Sequence, residues 1–168
     1  FLGGKIFIGD SAFRSGPNGL AASTDLAEKL YEYGFPMRRF KTGTPARMLG
    51  KTLHYDRMKE QSGDEEIVPF SFMNEGKDIG TNQISCWLSY TNEETHRIIL
   101  DNLDKSAMYS GNIVGVGPRY CPSIEDKVSR FRDRERHQLF VEPDGLDTDE
   151  MYIQGMSSSL PEDIQREF

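Results

Sequence analysis

The sequence predicts a mixed fold of helices and strands, of the α/β or α+β class, and three observations support this prediction. Short runs rich in branched and aromatic residues, such as KIFIG and HQLFVEP, are typical of strands. Runs with apolar residues at helical spacing, such as TDLAEKLYEY and NEETHRIILDNL, alternate with them. Gly- and Pro-containing loops such as SAFRSGPNG separate the two kinds of segment.

Further strands are predicted at QISCWLSY, GNIVGVG and EMYIQGM. MRRFKTGTP is predicted to be a basic strand or a loop that ends in a turn, and residues 48–82 are polar and irregular apart from IVPFSFM. The 168 residues, with 36% hydrophobic content, are enough for one ordinary domain or two small lobes.

The first predicted helix is bounded by clear start and stop signals. Ser23 is the predicted N-cap of TDLAEKLYEY, in which Leu26 and Leu30 share one face, and Gly34 follows the last turn. The glycine-rich loop before Ser23 offers amides to a phosphate at this helix start, or Ser23 is an ordinary cap.

Three later helices are predicted from capping pairs, in which a hydroxyl residue precedes an acidic residue by three positions. These pairs are Thr91 with Glu94, Ser123 with Asp126, and Ser159 with Glu162. In the third helix the apolar residues Ile124, Val128 and Phe131 are predicted to form a buried stripe.

Composition argues against several classes of protein. No apolar run is long enough to span a membrane, and the sequence does not show the basic and apolar regions that mark a signal peptide. Cys86 and Cys121 do not form a C-x-x-C pair, so we expect reduced thiols in a cytosolic protein rather than a disulfide. The three histidines lack metal-ligand spacing, so no metal site is predicted. Because the chain opens at Phe1, we expect it to be a piece of a longer protein.

Charge is distributed unevenly along the chain. The net charge is −7, and the segment from Glu142 to Phe168 holds eight acidic residues but only one arginine. A second segment contains five basic residues and no acid: Arg38, Arg39, Lys41, Arg47 and Lys51. This basic segment is either a phosphate-binding surface or a solvated loop.

The stretch GVGPRYCPSIEDK places a thiol just before a predicted helix start. Free backbone amides at that start and the nearby Arg119 would lower the pKa of Cys121 and favour a nucleophilic thiolate. The alternative is a small buried hydrophobic residue. A dinucleotide-binding G-x-G-x-x-G fingerprint is absent, since GVGPRY lacks the third glycine.

Several long blocks resemble the MnmG (GidA) family of flavoenzymes that modify the wobble uridine of tRNA. They are FLGGKIFIG, FKTGTPAR, YTNEETHRII, MYSGNIVGVGPRYCPSIEDKV, HQLFVEPDGLDTDE and GMSSSLPEDIQ, in the family's order over essentially the whole chain. The resemblance implies a central fragment that lacks the family's N-terminal FAD loop. It therefore implies part of a Rossmann-like FAD-binding domain carrying an inserted α/β domain, with limits at residues 1–42, 43–112 and 113–168.

The resemblance also implies an activity. Such enzymes work with the GTPase MnmE to add an aminomethyl or carboxymethylaminomethyl group to carbon-5 of the uridine. They use FAD, NADH and methylenetetrahydrofolate as one-carbon donor, with glycine or ammonium as nitrogen source, and they are cytoplasmic homodimers. The isolated fragment is expected to be inactive.

Site residues follow from the resemblance and from charge. Ser23 is expected to bind FAD, and Cys121 is expected to be catalytic. The run matched to the NAD or flavin side is Gly117, Pro118, Arg119, Tyr120, Cys121, Pro122, Ser123, Ile124, Glu125, Asp126, Lys127, Val128, Ser129, Arg130 and Phe131. The candidates for nucleic-acid contact, from charge and position, are Arg38, Arg39, Lys41, Arg47, Arg119 and Lys127. The alternatives are a non-catalytic tRNA- or partner-binding module and a purely structural insertion.

Overall fold

The computed structural model describes residues 2–79 and 84–168, apart from the side chain of Asn18. The strands are β1 (Lys5–Ile8), β2 (Ser11–Arg14), β3 (Met48–Leu49), β4 (Lys59–Gln61), β5 (Cys86–Tyr90), β6 (Gln138–Pro143) and β7 (Glu150–Gln154). The α-helices are α1 (Thr24–Glu32), α2 (Glu93–Asp101), α3 (Ile124–Arg130) and α4 (Glu162–Gln165). Five short 3₁₀ turns lie at Pro17–Gly19, Gly50–Thr52, Tyr55–Arg57, Phe72–Asn74 and Leu103–Lys105. The predicted mixed fold class is confirmed.

Two antiparallel sheets organise the described residues. β1 and β2 form a hairpin, and the other strands form a five-stranded sheet in the order β3-β7-β6-β5-β4. The larger sheet joins strands from the predicted inserted domain, 43–112, with strands from the predicted return segment, 113–168. The domain limits therefore stay a prediction.

The core lies between the helices. Ile98 and Ile99 of α2 pack with Ile124 and Val128 of α3, with Leu160 just before α4 and with Ile164 of α4. Burial of aliphatic side chains of this size contributes about 1.5–3 kcal/mol each, which fixes α3 and the loop that precedes it. By contrast, α1 buries none of its side chains in this chain, and Leu26 is exposed.

The sequence located two helix starts correctly. Ser23 is the N-cap of α1, although its side chain makes no capping hydrogen bond, and Gly34 follows the helix with a φ of +81°. Ser123 caps α3, because its Oγ atom accepts a hydrogen bond from the Asp126 amide at 3.1 Å.

Two predicted caps are wrong. The N-cap of α2 is Asn92, whose side chain accepts from the Thr95 amide, since the Thr91 hydroxyl is used by His96 and by the His137 amide. α4 begins after Pro161, because the Ser159 hydroxyl is held by Ser106 and the Met108 amide instead.

Three other details of the prediction are corrected. Phe131 ends α3 with 52% of its surface exposed, so the buried stripe consists of Ile124 and Val128. SAFR, predicted as a loop, is strand β2. GNIVGVG is not a regular strand, and Val116 within it forms an isolated parallel bridge with Phe40. Gln83, the first residue of the predicted strand QISCWLSY, lies outside the described residues.

No helix in the part of the chain that the structure describes is long and apolar enough to cross a membrane.

Candidate functional site

Two segments that are far apart in the sequence lie side by side in the structure. The Val116 amide donates to the Arg39 carbonyl at 3.2 Å, and the Lys41 amide donates to the Val116 carbonyl at 3.1 Å. Gly115 permits this approach, because a Cβ atom there would lie 3.1 Å from the Arg39 carbonyl oxygen. The basic segment therefore runs beside the loop that carries the candidate thiol.

The thiol is exposed at this junction. Cys121 has an accessible side chain, and its Sγ atom lies 3.6 Å from the Oγ1 atom of Thr42. The alternative interpretation of Cys121 as a buried hydrophobic residue does not agree with this exposure. Thr42, which the sequence did not single out, is its hydrogen-bonding neighbour.

Tyr120, next to the thiol, has an unusual backbone conformation. Its φ is +64°, and among residues 2–79 and 84–168 no other non-glycine residue has a positive φ. A side chain in this conformation is disfavoured by about 1 kcal/mol or more, and such strain is frequent at ligand-binding sites. The residue is 84% exposed, and the Arg119 guanidinium lies over one face of its ring at 4.7 Å. Tyr120 therefore presents an aromatic face to solvent beside the thiol.

The basic segment contributes two cations close to this loop. Lys41 Nζ lies 2.9 Å from Met108 Sδ, and a Cβ atom at Gly117 would lie 2.9 Å from Lys41 Cε. Arg39 donates from its guanidinium to the Gly3 carbonyl at 3.2 Å. Gly3 in turn donates its amide to the Ser23 carbonyl. Ser23 is therefore connected, through Gly3 and Arg39, to the loop of residues 115–122 that carries Cys121, which we call the thiol loop.

The remaining nucleic-acid candidates lie elsewhere or are already engaged. Arg47 forms an ion pair with Asp144 at 2.7 Å and lies over the Tyr152 ring, so its charge is largely neutralised. Lys127 is half-buried and donates to the Gly155 carbonyl at 3.1 Å, and burial lowers the pKa of its ammonium group. Arg38 is exposed and makes no hydrogen bond within the described residues.

The run from Gly117 to Phe131 divides into an exposed and a buried part. Residues 117–122 are exposed, whereas the side chains of Ile124, Glu125 and Val128 are buried in the core. At the start of α3 the amides of Ile124 and Asp126 already donate to Ser157 and Ser123. Any ligand of this run is therefore contacted through residues 117–122 rather than through the three buried side chains.

A buried carboxylate fixes this run to the rest of the chain. Glu125 Oε1 accepts from the Ser159 amide at 2.9 Å and from the hydroxyls of Ser158 and Ser106 at 3.1 and 3.2 Å. Its Oε2 atom is buried without a hydrogen-bond partner among the described residues. Glu125 belongs to the run predicted at the NAD or flavin side, which stays a prediction, and its hydrogen bonds join α3 to two loops.

No group of three or more His, Cys, Asp or Glu side chains within the described ranges could hold a metal ion. The site thus consists of a thiol, a hydroxyl, an exposed aromatic ring and basic side chains.

Comparison with known proteins agrees with the sequence blocks. Residues 1–168 match the family described as glucose inhibited division protein A. The protein named tRNA uridine 5-carboxymethylaminomethyl modification enzyme MnmG from Alkaliphilus metalliredigens is 60% identical over 165 residues. The protein of the same name from Lachnoclostridium phytofermentans is 57% identical over 165 residues.

The chain is also similar to a solved structure. Aquifex aeolicus GidA, in its form I crystal, superposes with a TM-score of 0.82 at 46% identity, over 98% of this chain and 28% of the Aquifex chain. In both curated relatives the match covers 98% of this chain and 26% of the relative, so the chain spans about a quarter of their length. The chain belongs to the glucose inhibited division protein A (GidA, MnmG) family.

Proposed function

We propose that this chain forms part of a tRNA-modifying flavoenzyme. With the GTPase MnmE, this enzyme adds an aminomethyl or carboxymethylaminomethyl group to carbon-5 of the wobble uridine. Relatives named for uridine modification match 98% of the chain at up to 60% identity, which supports this proposal. The observation that carries it is the exposed Cys121 thiol, held beside Thr42 on a loop that runs along the basic segment.

The residues present fit the edge of a flavin site. The Ser23 hydroxyl makes no capping hydrogen bond and is free to donate to a ligand, and the loop from Gly115 to Gly117 has only one side chain. Ser23 would hold FAD, and residues 117–122 would lie at the flavin or NADH. When bound, FAD supplies oxidation–reduction chemistry, with NADH as its reductant.

The thiol of Cys121 has the role of nucleophile in this proposal. A thiolate attacks electrophilic carbons readily, and the candidates here are a carbon of the uridine ring and the one-carbon unit of methylenetetrahydrofolate. Thr42 orients the sulfur, because its hydroxyl can donate a hydrogen bond to a thiolate. The exposed ring of Tyr120 provides a face on which an unstacked base can lie.

Basic residues around the loop contact the tRNA backbone. Four of the six basic candidates lie in the loop that carries Cys121 or in the segment beside it: Arg38, Arg39, Lys41 and Arg119. The other two are engaged elsewhere, since Arg47 pairs with Asp144 and Lys127 donates to the Gly155 carbonyl. The first four therefore contribute more to phosphate binding than the last two. We further propose that the full-length enzyme is a cytoplasmic homodimer whose contacts with MnmE lie mainly outside this chain.

A thiol substitution in the full-length enzyme tests the catalytic role. Cys121→Ser is expected to abolish uridine modification while tRNA affinity and flavin absorbance stay at the wild-type level. Cys86→Ser is the matched control, because Cys86 is half-buried in strand β5 and is expected to be dispensable. Full modification by Cys121→Ser would exclude the proposed role.

A second candidate is a non-catalytic module that binds tRNA or a protein partner. The exposed basic residues of the segment favour it. Under this alternative, Arg38→Glu with Arg39→Glu weakens tRNA binding and makes its salt dependence shallower, while Cys121→Ser changes nothing.

A further inference from the structure

The buried carboxylate of Glu125 lies between the segments whose contact forms the candidate site. Its Oε1 atom accepts hydrogen bonds from the Ser159 amide at 2.9 Å and from the hydroxyls of Ser158 at 3.1 Å, Ser106 at 3.2 Å and Ser159 at 3.5 Å. Hydrogen bonds to an ionised acceptor are about twice as strong as those between neutral groups, so a carboxylate oxygen holds several donors in place. Glu125 therefore fixes α3 to the two loops that contain these serines.

The first of the fixed segments carries the thiol. Glu125 is the second residue of α3, and only three residues separate it from Cys121 in the chain. The Ser123 hydroxyl caps the helix between them, and the Ile124 amide donates to the Ser157 carbonyl at 2.8 Å. The position of Cys121 is thus tied to that of the carboxylate through a short length of bonded backbone.

The loop of Ser106 supports one neighbour of Thr42. The Met108 amide donates to the Ser159 hydroxyl at 3.2 Å, and the Met108 Sδ atom lies 2.9 Å from Lys41 Nζ. Lys41 directly precedes Thr42 in the chain. The hydrogen-bonded serines therefore support this side of the basic segment.

The loop of residues 157–159 supports the other neighbour of Thr42. Gly43 directly follows Thr42 and packs on Ser157, because a Cβ atom at Gly43 would lie only 3.0 Å from the Ser157 Cβ atom. Thr42 thus lies between two contacts, and both involve segments that Glu125 binds.

We propose that Glu125 is a positioning residue, which holds Cys121 and Thr42 at the distance at which the Thr42 hydroxyl can donate to the sulfur, 3.6 Å in this structure. The proposal rests on the proposed function, since it takes Cys121 to be the reacting group. Misplacement of a reacting group by about 1 Å can slow a reaction about 100-fold, so a buried carboxylate can affect catalysis without contact with a ligand. The competing explanation is that these hydrogen bonds stabilise the fold and do nothing else.

The test is a double-mutant cycle in the full-length enzyme, with the rate of iodoacetamide labelling of Cys121 as its readout. Glu125→Gln keeps the shape and one acceptor oxygen but weakens the hydrogen bonds, and we expect labelling at fixed pH to be roughly fivefold slower. In a Thr42→Val background the same substitution is expected to have no further effect, because Glu125 acts through Thr42. The kcat of uridine modification is expected to fall with the labelling rate, while the KM for tRNA stays unchanged.

Two further variants separate positioning from stability. Ile99→Ala is the matched control, because Ile99 is fully buried in the same core and has no polar group. It is expected to unfold at a lower urea concentration and to keep the wild-type labelling rate of Cys121. Ser158→Ala removes one donor to Glu125 and is expected to slow labelling by a smaller factor, which keeps the test decisive if Glu125→Gln does not fold.

Three results would overturn the proposal. They are wild-type labelling in both Glu125→Gln and Ser158→Ala, an equal slowing in Ile99→Ala, and additive effects of Glu125→Gln and Thr42→Val. A Cys121→Ser enzyme that still modified the uridine would instead overturn the proposed function. The labelling cycle does not depend on turnover, so the two failures are distinguishable.

Discussion

The Sγ atom of Cys121 lies 3.6 Å from the Oγ1 atom of Thr42, although the two residues are 79 positions apart in the sequence. Their proximity follows from two backbone hydrogen bonds that join Arg39 and Lys41 to Val116. These bonds fix the register of the two segments, and the register places the hydroxyl next to the sulfur. The hydroxyl can therefore donate to a thiolate at this position.

The first prediction concerns the reactivity of this thiol. Thr42→Val keeps the shape of the side chain but removes the donor, and we expect Cys121 to be alkylated severalfold more slowly at fixed pH. A net contribution of about 1 kcal/mol for the hydrogen bond corresponds to roughly a fivefold change. The measurement is the rate of iodoacetamide labelling in the full-length enzyme, followed by mass spectrometry.

Two features separate this effect from a general disturbance of the fold. Thr42→Ser restores the hydroxyl and is expected to restore most of the rate. Labelling of Cys86 serves as an internal reference, since burial and the carboxylate of Glu142 raise the pKa of that thiol and slow its reaction. Equal rates in the Val, Ser and wild-type proteins would contradict a role for Thr42.

The second prediction concerns the crossing of the two segments. In Gly115→Ala the new methyl group lies 3.1 Å from the Arg39 carbonyl oxygen and 3.4 Å from the Lys41 amide nitrogen. We expect the segments to separate, with about 1–2 kcal/mol lost from the free energy of unfolding and a changed labelling rate of Cys121. Gly145→Ala is the control, because its methyl group meets only a Thr148 methyl group at 3.4 Å. Urea denaturation of both variants gives the comparison, and equal stability would show that the crossing tolerates a side chain.

The third prediction concerns the buried carboxylate of Glu125. Glu125→Leu leaves the Ser159 amide and the hydroxyls of Ser106 and Ser158 without their acceptor. We expect a loss of about 2–4 kcal/mol in the free energy of unfolding, because buried donors without partners are costly. Glu125→Gln keeps an acceptor oxygen and is expected to lose less. If the Leu and Gln variants unfolded at the same urea concentration, these hydrogen bonds would not be the source of the stability.

Local patterns predicted much of the fold but not the geometry of the site. Strands β1, β5, β6 and β7 and the cap of α3 follow from alternation and capping signals within a few residues. The Ser159 cap failed because the hydroxyl of that residue bonds to Ser106, 53 positions away, and a local pattern cannot show such competition.

The proximity of Thr42 to Cys121 is likewise a contact between residues far apart in the sequence, which a local pattern cannot show. Both residues stood in segments that the sequence singled out, one for its charge and the other for its cysteine. The parallel bridge between Phe40 and Val116 joins these segments, and a bridge this isolated gives no alternating pattern in either one.

The fourth prediction concerns a pair of histidines, the buried His96 on α2 and the half-buried His137, which directly precedes β6. The rings of His96 and His137 lie 5.2 Å apart. The Thr91 hydroxyl accepts from the His137 amide and lies 2.7 Å from His96 Nε2, to which it can donate. Burial lowers the pKa of His96 below 6.5, although Glu93 opposes this change. Burial also lowers the pKa of His137, and the charges of His96, Lys127 and Arg134 lower it further.

Because both histidines have a lower pKa in the folded protein, the unfolded chain binds more protons as the pH falls below about 6.5. The stabilisation is therefore complete above that pH and is lost progressively on acidification between pH 7 and pH 5. Urea denaturation at several pH values measures this slope. His96→Gln with His137→Gln is expected to flatten the slope over this range, whereas His54→Gln, at an exposed histidine, is expected to leave it unchanged. A double variant with the wild-type slope would assign the acid sensitivity to carboxylates instead.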